Sequence, residues 1–93
     1  MDDIAKGRAL EEMCETEGWG VVERHIKEHI ALKEAELLHL PLDKIEPETV
    51  RKLRVEMDVL RGVLRFVQDT VEAGREAEKE QANNAGRKSR PAG

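Results

Sequence analysis

The stretch Val50-Arg51-Lys52-Leu53-Arg54-Val55-Glu56-Met57-Asp58-Val59-Leu60-Arg61-Gly62-Val63-Leu64-Arg65-Phe66-Val67-Gln68-Asp69-Thr70-Val71 decides the fold. Val50, Leu53, Met57, Leu60, Leu64, Val67 and Val71 recur at intervals of 3-4-3-4-3-4 without a miss, which keeps one stripe of a helix turned toward a neighbouring helix. The same stretch carries Val55, Val59, Val63 and Phe66 on a second face. One neighbouring helix covers one face only, so the second needs a cover of its own. A partner chain is the simpler cover, unless the N-terminal segment folds back. Gly62 either marks a close helix approach beside Val63 and Phe66 or is merely tolerated, at about 1 kcal/mol relative to Ala.

Outward from this stretch, prolines stand only at 41, 47 and 91, so residues 2–40 and 48–90 contain nothing that forbids a helix. Residues His39 to Glu46 are too few for a parallel crossover and suit a helix-to-helix turn, which makes the two arms antiparallel. Pro47 fits the first helical position, with Glu48 beside the positive helix end; Asp43 is an alternative cap for a short turn at 44–46. In the first arm Trp19, Val22, Ile26, Ile30 and Leu37 share a face that Lys33 interrupts. Upstream, Ile4, Leu10, Met13 and Cys14 form a weaker helical pattern, with a hinge expected at Gly18-Trp19-Gly20. No large apolar residue follows Val71, so the helix is expected to fray near 80.

The expected fold is therefore all-α: an N-terminal helical segment over 1–18, an antiparallel hairpin over 19–80 and a disordered basic tail over 81–93. The hairpin's arms are placed at 19–39 and 47–78, joined by a coiled-coil-like seam. Its seam residues are Trp19, Val22, Ile26, Ile30, Leu37, Val50, Leu53, Met57, Leu60, Leu64, Val67 and Val71. Val55, Val59, Val63 and Phe66 form the interface of a homo-oligomer, with a dimeric four-helix bundle as the leading form.

Composition points the same way. Ninety-three residues make one small domain at most, and a lone protomer of this length is marginally stable unless it assembles. Sixteen basic against twenty acidic residues leave a net charge of −4, which disfavours a nucleic-acid coating protein. The aromatics are Trp19 and Phe66 alone, too few for stacking on bases. Cys14 is the single cysteine and cannot close an internal disulfide, and no apolar run is long enough for a membrane span, so a cytoplasmic location is expected.

His25-Ile26-Lys27-Glu28-His29 matches H-x-x-E-H, in which two histidines hold zinc and the glutamate acts on its bound water. Helical geometry points Glu28 away from the His25/His29 line, no third ligand has metal-site spacing, and a hairpin offers little wall for a cleft. The histidines are read as residues at the margin of a buried seam, on a stripe shared with Val21, Leu32 and His39. No metal, cofactor or catalytic residue is assigned, and no enzyme activity is expected. Arg51, Arg54, Arg61 and Arg65 share a polar face with Asp58 and Asp69, chiefly a solvated salt-bridge face. They are also the candidate contacts for nucleic acid or an acidic partner, together with Arg87, Lys88 and Arg90. Residues 2–40 carry ten acidic against five basic residues, so an acidic arm faces an arginine-bearing helix, in cis or in a neighbour.

Thr16-Glu17-Gly18-Trp19 with Val22 and His25-Ile26, followed after the Pro-flanked turn by Val50-Arg51-Lys52-Leu53-Arg54 and Leu60-Arg61-Gly62-Val63-Leu64, resemble small helical-hairpin proteins of phages and prophages. Those are often encoded among head and tail morphogenesis genes. The likeness covers residues 9–72. It implies a virion-assembly or accessory component without catalysis, virion-associated if phage-derived, and carries over no functional residue. The expected partners are a second copy of the chain and another protein.

Overall fold

The computed structural model describes residues 1–89. Among them it holds α1 (Asp3–Cys14), α2 (Glu17–Leu38), a 3-10 turn (Leu42–Lys44) and α3 (Pro47–Ser89), with no strand. These residues fall into two compact units: Thr16–Phe66, and Met1–Glu15 with α3 from Val67 onward.

In Thr16–Phe66, α2 and the first part of α3 form a helical hairpin. Glu15 and Thr16 separate α1 from α2: the Thr16 backbone is extended (ψ 151°) and its side chain accepts a hydrogen bond from Trp19 N at 3.1 Å. That N-cap supplies an acceptor for one of the donors a helix start leaves open. The break thus falls at 15–16 rather than at Gly18-Trp19-Gly20, both glycines being absorbed into α2, whose start precedes the expected residue 19. The turn is closed by Lys44 N donating to Pro41 O at 2.8 Å. Glu46 O accepts from Val50 N at 3.1 Å, so α3 begins at Pro47, where the missing N–H costs nothing. Asp43 lies inside the 3-10 turn rather than capping one at 44–46.

Ile26, Ile30, Leu53 and Met57 are buried, flanked by half-buried Trp19, Leu37, Val50, Leu60 and Leu64. Val22 does not belong to this set and is 47% exposed. The shielded stripe of α2 runs Trp19, Glu23, Ile26, Ile30, Lys33, Leu37, a 4-3-4-3-4 spacing that passes through Glu23 where Val22 had been placed. Glu23 is tied there by Trp19 Nε1, which donates to it at 3.2 Å. Lys33 reaches out of the stripe to Glu56 at 2.6 Å, its stem covering apolar surface while its head pairs.

In the other unit, α1 is capped by Asp2, whose carboxylate accepts from Ala5 N at 2.7 Å. It packs on α3 at two glycines, Gly7 and Gly74, both buried. A Cβ built on Gly7 would stand 2.8 Å from Gly74 Cα and 3.2 Å from Thr70 O; one on Gly74 would stand 2.9 Å from both Asp3 O and Gly7 Cα. The two backbones touch, and only glycine permits it. Arg8 pairs with Glu78 at 2.6 Å and Arg75 with Glu11 beside this contact. The shielded stripe of α3 thus continues past Val71 through Gly74 to Glu78, still at 3- and 4-residue steps. The helix runs beyond the expected end near 80 as far as Ser89, while residues 90–93 of the expected tail lie outside the described residues.

Candidate interaction surface

Val55, Val59, Val63 and Phe66 are 53%, 62%, 44% and 63% exposed. They lie on a helix whose opposite side is shielded, because residues at steps of 3 and 4 return to one stripe while these four occupy another. Gly62 stands between them, and a Cβ built on it would meet nothing within 4 Å. The N-terminal segment belongs with α3 from Val67 onward.

Beside the stripe, toward the turn, Ile45, Pro47, Val50, Arg51, Arg54, Val55 and Asp58 line a shallow groove of about 550 Å³. Its floor is apolar and its rim carries two guanidinium groups that form no ion pair among the described residues. The four arginines grouped from sequence are split. Arg61 turns toward α2 and pairs with Glu34, whereas Arg51, Arg54 and Arg65 stay exposed without an ion pair among the described residues. The acidic α2 and the arginine-bearing α3 therefore meet in cis through Lys33–Glu56 and Arg61–Glu34. Donation from Lys33 holds the Glu56 carboxylate below its ordinary range, and hydrogen bonding to Glu11 pushes the Arg75 guanidinium further up.

His25 and His29 are one turn apart with ring centroids 4.3 Å from each other. Both are exposed, as are Val21, Leu32 and His39 on their stripe, so they stand in solvent rather than at the margin of a buried seam. No group of three His, Cys, Asp or Glu side chains among the described residues is placed to hold a metal ion. Cys14, at the end of α1, is exposed. No helix among the described residues is long and apolar enough to cross a membrane.

No family model matches the chain, and neither a curated protein nor a solved structure gives a significant match.

Proposed function

We propose that this chain is a non-enzymatic assembly module that associates with itself through Val55, Val59, Val63 and Phe66 and presents its remaining surface to another protein. The observation that carries this reading is the exposed apolar stripe on α3, on a different face from the one that α2 shields. Contiguous apolar surface left in water on a small domain is the usual mark of a protein contact. The sequence resemblance to phage and prophage hairpin proteins supports a role in virion assembly or as an accessory component. Changing both Val59 and Phe66 to Glu tests the reading, because carboxylates in the stripe block a dry contact. The wild type is expected to be an oligomer, and the variant a folded or partly unfolded monomer. A wild type that stays monomeric, with an unchanged variant, would overturn it.

A second reading is favoured by the groove at Arg51 and Arg54: a regulator that binds nucleic acid or an acidic host protein through these residues and Arg65. Titrating duplex-DNA binding against salt separates the two, since phosphate neutralisation gives a steep salt slope and an assembly module gives none.

A further inference from the structure

Self-association through the exposed stripe leaves open how two copies of α3 lie against each other, and the register of the helix answers this. Lys52, Val55, Val59, Gly62, Phe66 and Asp69 repeat at 3-4-3-4-3, a second seam interleaved with the shielded one. All six are exposed, and space above Gly62 is open. We infer that a second copy of the chain docks antiparallel along this seam, with a twofold axis between Val59 and Gly62. This rests on the reading that the stripe is the self-association face.

In that register Val59 packs into the space over Gly62 of the second copy, and Val55 meets its Phe66. Each layer then joins a larger residue to a smaller one, so the layers differ less in volume than like-on-like pairing would make them. Lys52 meets Asp69 of the second copy. The residues flanking the seam on one side, seven apart, are Arg51, Asp58, Arg65 and Glu72, alternating in sign. Antiparallel overlay about the same axis sets Asp58 against Arg65 of the second copy and Arg51 against its Glu72, each contact occurring twice. Asp58 and Arg65 form no ion pair within the chain among the described residues, so both charges remain available. A parallel pair would instead stack Lys52 on Lys52, Asp69 on Asp69, Gly62 on Gly62 and Phe66 on Phe66. That arrangement combines like-charge contacts with alternate voids and crowding, so the antiparallel register is favoured on charge and on volume.

Charge exchange in the full chain tests it. Asp58→Arg and Arg65→Asp each convert two attractive contacts into two repulsive ones, and each is expected to weaken dimerisation about tenfold. The double variant Asp58→Arg/Arg65→Asp re-forms both pairs only when position 58 faces position 65, and is expected to return near wild-type affinity. Spin labels on Gln68→Cys in a Cys14→Ser background supply a readout that needs no charge change. Antiparallel pairing offsets the two labels by about 22 Å along the axis, parallel pairing brings them to about 10 Å. A dimer whose double variant is as weak as the single variants, or whose labels lie side by side, would overturn the register while the self-association reading stands. A wild type that never dimerises would overturn both.

Discussion

Replacing Gly7 or Gly74 by alanine should destabilise the α1–α3 contact even though alanine is the better helix former. A new methyl group at Gly7 would lie 2.8 Å from Gly74 Cα and 3.2 Å from Thr70 O, and both obstacles are backbone that cannot rotate aside. Carbon atoms pack comfortably at about 3.5–4.0 Å, so the helices would have to part by roughly 1 Å. Overpacking of this kind costs about 1–3 kcal/mol, while Gly→Ala in a helix returns about 0.5–1 kcal/mol, leaving a net loss of up to about 2.5 kcal/mol. Gly20→Ala is the matched control, for nothing lies within 4 Å of a Cβ there, and it should gain about 0.5–1 kcal/mol. Urea unfolding followed by circular dichroism measures the opposite signs. Native-state hydrogen exchange then locates the loss: α1 amides in Gly7→Ala should exchange about 5–30-fold faster, with those of α2 unchanged. If Gly7→Ala stabilises the chain as Gly20→Ala does, the backbone contact between Gly7 and Gly74 is refuted.

Thr16→Ala removes the acceptor for Trp19 N and should cost about 1 kcal/mol, with Thr16→Ser nearly neutral; thermal unfolding of the three proteins compares them. Glu56 has its carboxyl pKa lowered by Lys33, so its contribution to stability is present above the unfolded value of 4.5 and lost as pH falls through the lower folded value. Glu56→Gln should accordingly flatten the acid limb of a stability-versus-pH curve; an unchanged limb would contradict that pairing. Exposed His29 should tolerate Gln within about 0.5 kcal/mol, less than the loss of about 1 kcal/mol that a seam position would give. A strong chelator should leave the unfolding midpoint where it was, and a large drop would revive a metal site at His25 and His29.

The shielded stripe of α3 and the Pro-flanked turn were legible because both are written in residue types with one physical meaning. Leu, Met and Val at 3-4 steps bury, and a proline at the first helical position starts a helix. The features without such a signal have the opposite character. Glu23 and Lys33 occupy shielded positions of α2 through a hydrogen bond and an ion pair, so a reading by apolarity alone chose Val22 instead. Gly7 and Gly74 give no signal in the pattern, because glycine has no side chain to announce that two backbones meet over it. The cap at Thr16 had a sequence signal, a threonine directly before an acidic first turn, but the two nearby glycines drew the break toward themselves. Helix α3 past residue 80 lacks large apolar residues; Gln81, Ala82, Ala85, Arg87 and Lys88 favour a helix while Asn83, Asn84 and Gly86 weaken one, so its run to Ser89 is not written in the pattern.

The exposed stripe of α3 is the face on which the proposed second copy would sit. Sedimentation equilibrium of the wild-type chain over a wide concentration range measures this directly. The expected mass rises from that of the 10.5 kDa chain toward twice that value, with Val59→Glu/Phe66→Glu remaining at the lower value throughout. A wild type holding the single-chain mass at the highest concentrations, with the stripe still in water, would contradict it.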